Sequence, residues 1–363
     1  MTRKPAGSEE GSMAVNLLLA LVFAAALVAG FFGLLGRWFP AVSGAHHEVR
    51  AHVVLDAALK RCAVWLALDP TPESDSPEDP IWRQLSVQNS AAADETGSSP
   101  VIELEDASSK INPNWVRKNL FERTSLSALF SPVAASIGSP SDHLQQLRED
   151  RGFFCDLEVG YGSLFSAETR TKYLTAWSYA NINLTDEFVL QRLCELRTGN
   201  AAAAETFHTS IQRLLQQGKI LHEEELEEFF GTDYRQLYPV VNALPWWNVH
   251  YLPPLILRQI LSYPGFRISD PAARADRILA ACEKGEVSPK DLQSLVGAPA
   301  DHIIYQYLGT VTWFWKITIV AGSDRLEAVL CRLPPAQTNP DSDLSAERPS
   351  PTIFRVVARR YTP

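Results

Sequence analysis

Histidines and carboxylates, which most often bind metals or transfer protons, occur in three short clusters of this 363-residue chain. His46, His47 and His52 lie close enough together to hold a metal ion, but we expect a solvated helix face. The acidic, proline-rich stretch 69–80 offers oxygen ligands for calcium, but it lacks the spacing of a calcium loop, so we expect a solvated loop. The acidic run 223–228 is explained by the preference of carboxylates for a helix start.

No enzyme motif accompanies these clusters. The sequence has no GxSxG, HExxH, GxxxxGK[ST] or GxGxxG segment, so we expect no enzymatic activity. The net charge of -9 repels phosphate backbones and disfavours nucleic acid as the main ligand. The five cysteines are too few for a disulfide framework, although two of them could pair. They are Cys62, Cys155, Cys194, Cys282 and Cys331.

The most unusual stretch of the sequence is apolar and lies near the N-terminus. No charged residue occurs from Gly11 to Gly36, and Asn16 is the one strongly polar side chain there. A helix over 13–36 would measure about 36 Å, enough to cross a hydrocarbon core of about 30 Å. The stretch 12–36 is therefore predicted to be a transmembrane helix.

A second helical pattern follows, over 48–66. Its apolar residues Val53, Leu55, Ala58 and Leu59 suit one packed stripe. The membrane helix is thus expected to continue into an amphipathic helix that packs on a soluble domain. A plain membrane anchor, or a signal peptide cut near 43–45, remains an alternative.

The rest of the chain predicts strands on either side of a helical block. Strands are expected at 81–87 and 101–106, and again at 310–322, 325–333 and 353–361. Between them, helices are expected at 113–121, 142–148, 186–197, 201–216, 223–230, 253–261, 271–284 and 289–295. The predicted fold class is α+β, with a long N-terminal helix on an antiparallel sheet and an all-α domain inserted between early and late strands. The predicted parts are 1–11, 12–36, 37–110, the insert 111–308, and 309–363.

One pattern recurs inside the helical block. The segment that begins Asn181-Ile-Asn183 is repeated 67 residues later from Asn248-Val-His250, with a fainter copy at Asn112-Pro-Asn114. Because an Asn side chain accepts hydrogen bonds from the free N–H groups of a helix start, we expect these residues to cap helices. Loss of such a cap, as in Asn248→Ala, is expected to cost about 1 kcal/mol. Two unrelated capped helices are the alternative explanation.

The layout of an apolar helix directly after a glycine resembles that of type IV pilins and type II secretion pseudopilins. Two motifs resemble the minor pseudopilin K family. The first is Asp106-Ala-Ser-Ser-Lys-Ile-Asn112-Pro-Asn114, and the second runs from Trp247-Asn248 to Pro264-Gly265. In the second motif His250 replaces the family's second asparagine.

This resemblance implies a processing site and a set of partners. A prepilin peptidase would cut after Gly11, leaving an N-methylated Ser12 and placing Asn16 at mature position five. Most pilin-like subunits carry a glutamate there, which engages the neighbouring subunit, whereas the K family lacks it. Such a subunit caps the tip of a periplasmic pseudopilus as a single-pass inner-membrane protein. Its partners are two other minor pseudopilins, the major pseudopilin fibre and the inner-membrane secretion platform. Some members bind calcium.

Two other functions remain open at this point. One is a membrane-anchored periplasmic binding or scaffold protein unrelated to pili. The other is a membrane-tethered nucleic-acid-binding subunit, since the turn at 263–266 is similar to those of helix-hairpin-helix modules. In this chain Arg267 stands where such modules place their second glycine, which weakens that alternative.

Overall fold

The computed structural model describes residues 9–79, 100–136, 138–285, 287–334 and 354–362. The chain divides into two compact units, one of residues 1–57 and the other of residues 58–363. The predicted strand at 81–87 lies outside the described residues.

The first element is one uninterrupted helix, α1, from Glu9 to Ala67. It contains 59 residues. Within the described residues, Leu17–Gly36 is the one segment long and apolar enough to cross a membrane, and none of it is buried. The prediction that the apolar stretch and the following pattern form a single helix is confirmed.

The C-terminal turns of α1 carry an apolar stripe. Ala58, Leu59, Cys62 and Leu66 are buried, at the three- and four-residue spacing of one helix face. Leu55, one turn earlier, is fully buried as well. The assignment of Val53 to this stripe is wrong, because its side chain is 62% exposed.

Four antiparallel strands form the main sheet, in the order β1-β6-β7-β8. β1 is Val101–Asp106, β6 is Phe314–Ala321, β7 is Asp324–Arg332 and β8 is Phe354–Thr362. β1 precedes the helical block and pairs with β6, which follows it, in a register that places Asp106 opposite Trp315. The expected sharing of one sheet by early and late strands is confirmed for β1 and the three late strands.

Both faces of this sheet carry buried side chains. On one face Ile102, Ile319 and Leu326 lie side by side across three strands and are nearly inaccessible. The opposite face packs Phe314 and Cys331 against Tyr179 of the helical block. Burial on both faces is greatest in the central strands β6 and β7, whereas the edge strand β8 has no buried residue.

The helical insert contains thirteen helices of four or more residues in its described part. They are α2 (Lys118–Glu122), α3 (Pro132–Ser136), α4 (Pro140–Arg151), α5 (Leu157–Tyr161), α6 (Ala167–Tyr173), α7 (Glu187–Thr198), α8 (Ala201–Gln217), α9 (Leu226–Phe230), α10 (Tyr234–Leu237), α11 (Pro254–Leu261), α12 (Pro271–Lys284), α13 (Pro289–Val296) and α14 (Ile304–Tyr307). Short 3-10 turns lie at Ser125–Leu129, Glu223–Glu225, Gly231–Asp233 and Pro264–Phe266.

Short parallel bridges divide the insert into three similar segments. Ile111 pairs with Leu174, β2 (Ala180–Asn181) pairs with β3 (Val241–Asn242), and β4 (Trp247–Asn248) pairs with β5 (Leu308–Gly309). We call the parts enclosed by these pairs segment 1 (111–174), segment 2 (180–241) and segment 3 (247–308). The repeat seen in the sequence is thus a repeat in structure, including its fainter first copy.

The segments are stabilised by two apolar cores. Segments 1 and 3 contribute to one core, which includes Phe121, Phe165, Trp247 and Ile260. Segment 2 supplies most of the other, around Leu190 and Phe207. The expected core role of the paired tryptophans is confirmed, since Trp246, Trp247, Trp313 and Trp315 are all buried.

Other expectations on local structure are corrected. The first helix of the insert begins at Lys118 instead of 113, because residues 112–116 form a turn. All five cysteines are free, and Cys155 is exposed whereas Cys62, Cys194 and Cys331 are buried.

Candidate functional site

Each segment of the insert opens with the same turn. The side-chain oxygen of Asn112, Asn181 or Asn248 accepts the backbone N–H two residues later, at 3.0, 2.8 and 3.0 Å. The backbone oxygen of the same asparagine accepts N–H groups three and four residues later. Asparagine suits this position because its side chain is the right length to close such a turn.

These asparagines do not cap helices, so the predicted mechanism is wrong. Helices α2, α7 and α11 each begin six residues after the asparagine, and their caps, five residues after it, are Arg117, Asp186 and Pro253. The Asn side chain accepts the N–H two residues later, in its own turn, because this N–H is closer to it than any N–H of the helix. The turns do open each segment, as the repeat predicts.

The third residue of each turn clamps a distant part of its own segment. Asn114 accepts the N–H of Phe154 at 2.9 Å and donates to its carbonyl at 3.0 Å. Asn183 does the same with Leu221, at 2.9 and 2.8 Å. The carboxamide thus replaces a backbone partner and satisfies both polar groups of a buried peptide.

His250 makes the corresponding contact in segment 3 with one bond fewer. Its Nε2 accepts the N–H of Val287 at 3.0 Å, and burial lowers its pKa, which favours the neutral ring needed for accepting. The carbonyl of Val287 takes its hydrogen bond from the hydroxyl of Ser74 at 3.1 Å instead. The hydrogen bond to the carbonyl of Val287 that His250 does not make is therefore supplied by Ser74, which lies outside the insert.

The third opening turn is tied to the sheet by buried hydrogen bonds. The Nδ2 of Asn248 donates to the carbonyl of Asp75 at 2.7 Å and to Oγ1 of Thr312 at 3.1 Å. Its backbone N–H donates to Oγ of Ser109 at 2.9 Å. We call the buried group that holds the insert to the sheet the junction network; it comprises Asp75, Asp106, Ser109, Asn248, Thr312 and Arg332.

Asp106, the first residue of one family-like motif, ends β1 inside this network. Its carboxylate accepts the N–H of Ser108 at 2.8 Å and the hydroxyls of Ser109 and Thr312 at 2.9 and 2.5 Å. Complete burial raises its pKa, and these hydrogen bonds oppose that shift. Ser109 and Thr312 thus connect the first motif, at Asp106, to the second motif, at Asn248, by hydrogen bonds.

Asp75 and Arg332 form the other half of the network. Oδ1 of Asp75 accepts from Nη2 of Arg332 at 2.8 Å, and Oδ2 accepts the N–H of Thr312 at 2.7 Å. Burial raises the pKa of Asp75 to about 7, while Arg332 acts to lower it. The expectation of a solvated loop at 69–80 is wrong, because Ser74, Asp75, Ser76 and Asp79 are buried.

The same loop brings three carboxylates together, those of Asp69, Asp75 and Asp79, with oxygens within 4.8 Å of one another. Carboxylate oxygens are the ligands that calcium prefers. However, both oxygens of Asp75 already accept protein hydrogen bonds, and the Arg332 guanidinium lies 2.8 Å from one of them and 3.9 Å from Asp69. Arg332 therefore already supplies one positive charge to this group, and calcium stays a prediction from resemblance.

The remaining predicted residues are placed as follows. Gly11, Ser12 and Asn16 lie in α1, which begins two residues before Gly11; their side chains lie outside the described residues, as do those of His46 and His47. Glu223 is not a solvated helix-start residue, because it accepts from Tyr238 at 2.6 Å and from the N–H of Ala243, and burial raises its pKa.

Sequence reasoning did not identify Ser74, Asp75, Thr312 and Arg332 as contacts of the motif residues. The first two lie in the loop after α1, Thr312 precedes β6 and Arg332 ends β7, so only the fold brings them to the motif residues. Within the described part of the chain, the hydrogen bonds of the network are buried, and Nε of Arg332 is the one side-chain polar atom of the network without a partner. Its chemistry is that of holding two parts of a fold together.

No family model matches the sequence, and no curated protein does. The chain is similar to one in "The Crystal Structure of the GspK-GspI-GspJ complex from enterotoxigenic Escherichia coli Type 2 Secretion System", with 13% sequence identity and a TM-score of 0.30. The match covers 89% of this chain and 99% of that one.

Proposed function

We propose that this protein is a non-enzymatic minor pseudopilin that caps the tip of a periplasmic pseudopilus in type II secretion. The observation that carries the proposal is α1, a single helix whose first part is exposed and apolar over Leu17–Gly36 and whose last turns carry a buried apolar stripe. An exposed apolar span of 20 residues is stable in lipid or against similar helices, and not in water. The insert supplies the bulk of a capping subunit.

A second feature of α1 supports assembly with similar subunits. Val49, Val53 and Val64 of α1 are 56–63% exposed, and Val49 and Val53 lie one helix turn apart. Exposed apolar side chains of this kind are suited to packing against the helix of another subunit. The proposed partners are two other minor pseudopilins and, below them, the major pseudopilin fibre on the inner-membrane platform.

The proposed processing places the cut between Gly11 and Ser12, with Asn16 at mature position five. An asparagine there carries no charge to pair with the amine of a subunit above, as suits the last subunit of a fibre. The proposed location is the inner membrane, crossed once, with the globular region in the periplasm.

Gly11→Arg is expected to block cleavage by the prepilin peptidase and to abolish secretion by the host system. Edman sequencing of protein from native membranes should give Ser12, N-methylated, for the wild type and Met1 for the variant. Gly7→Arg, in the same leader, is the matched control and should be processed normally. Normal cleavage and secretion in Gly11→Arg would refute the proposal, and a wild-type protein that keeps Met1 would favour a plain anchor.

A further inference from the structure

A cleft of about 460 Å³ opens where the three segments of the insert meet. Segment 1 contributes Arg117 and segment 3 contributes residues 301–303. Segment 2 contributes nine residues that lie between Ile182 and Leu221. Much of the lining is aliphatic, with Ile182, Leu214, Leu215 and Ile303 among its residues. Clefts of this size and character are typical of sites for small ligands.

Arg117 brings an unpaired positive charge to this lining. Its Nε donates to the carbonyl of Thr185 at 3.2 Å. Its Nη2 is buried and has no hydrogen-bond partner among the described residues, and no carboxylate there forms an ion pair with it. A buried N–H without an acceptor is unfavourable, and a guanidinium binds a carboxylate more strongly than any neutral acceptor.

The other polar groups of the cleft are already engaged or lie at its exposed rim. The ammonium of Lys219 pairs with Glu225 at 2.8 Å. His302 accepts the N–H of Ile304 through Nδ1, so its Nε2 carries the proton and donates to the carbonyl of Phe266 at 3.0 Å. Asp301 is exposed, and its negative charge opposes binding of an anion.

We propose that the cleft binds an amphipathic monocarboxylate, such as a medium-chain fatty acid. The carboxylate would accept from Arg117, and the apolar chain would lie along Leu214, Leu215 and Ile303. Burial of the chain supplies most of the affinity, and the guanidinium selects the charged end. This site is independent of processing at Gly11 and of the junction network.

Octanoate is the probe, with octanamide as its neutral counterpart, titrated calorimetrically into the detergent-solubilised full-length protein. The wild type is expected to bind octanoate at least tenfold more tightly than octanamide, because the amide cannot form the charged hydrogen bond. Arg117→Gln is expected to remove this preference, and Arg117→Lys to restore part of it. Arg213→Gln, on helix α8 next to the lining residues Leu214 and Leu215 but outside the lining itself, is the control and should bind as the wild type does.

A variant that binds more tightly distinguishes an effect on ligand binding from an effect on folding. Asp301→Asn removes the opposing charge at the rim and is expected to tighten octanoate binding severalfold without changing octanamide binding. The proposal is overturned if octanoate and octanamide bind alike, or if Arg117→Gln retains the preference while remaining folded by circular dichroism. It is overturned as well if a peptide with a free C-terminal leucine binds and octanoate does not.

Discussion

The opening turns of segments 2 and 3 share a backbone conformation and differ in what surrounds them. Asn181 donates to the carbonyl of Leu244 and to Gln306, both within or next to the insert. Asn248 donates to Asp75 and Thr312, which belong to the loop after α1 and to the connection into β6. The comparison teaches that one local motif folds a segment in one place and joins two parts of the chain in another.

The largest expected difference between the surroundings of the two turns is in how the free energy of unfolding depends on pH. Asp75 has a pKa of about 7 in the folded protein, above the ordinary value of 3.8, so the folded state binds the extra proton between these pH values. Stability contributed by this group is present at low pH and is lost as pH rises from about 4 to 7. We expect a loss on the order of 2–4 kcal/mol in the free energy of unfolding, measured by urea denaturation with tryptophan fluorescence.

Asp75→Asn should remove this part of the slope. The control is Asp276→Asn, at an exposed salt bridge with Arg258, which should leave the slope as in the wild type. An identical slope in the wild type and in Asp75→Asn would show that the junction network does not titrate as inferred.

Asn248→Ala is expected to destabilise the protein by about 2–3 kcal/mol, more than the loss of a helix cap. The substitution removes the donor to the backbone carbonyl of Asp75 and to Oγ1 of Thr312, in a site where Asn248 is fully buried. Asn112→Ala removes the same turn bond and a contact to the half-buried Ser178, and should cost about 1 kcal/mol. Equal losses in the two variants, measured by the same urea denaturation, would contradict a special role of the third turn.

The smallest effect concerns the histidine of the third turn. Ser74→Ala should cost about 1 kcal/mol, because the carbonyl of Val287 loses its donor. In a His250→Asn background the same substitution should cost less, since the carboxamide is able to donate to that carbonyl as Asn114 and Asn183 do in their segments. Urea denaturation of the four proteins of this double-mutant cycle measures the coupling, and additive losses would argue against compensation.

Much of the fold followed from periodicity and repetition. The apolar stretch predicted the helix Glu9–Ala67, alternation predicted β1 and the late strands, and proline starts placed α12 and α13 within a residue of their bounds. The repeat located all three opening turns, because it reflects a local backbone requirement.

The contacts of these turns could not be predicted in the same way. Composition indicated a solvated loop at 69–80, since acidic and proline-rich residues bury little apolar surface. The fold buries Asp75 because Arg332 and the N–H of Thr312 supply partners from distant parts of the sequence. Likewise, the cleft at Arg117 depends on the packing of three segments, which no single stretch of sequence reveals.

The pairing of Asp106 with Trp315 has a consequence for how such a protein is put together. The chain leaves the sheet after β1 and returns to the neighbouring position in β6, with the N–H of Ala107 bonded to the carbonyl of Phe314. To the sheet, the whole helical insert is equivalent to a hairpin loop. The insert can therefore change in length or content while β1 and β6, the strands that flank it, keep their register.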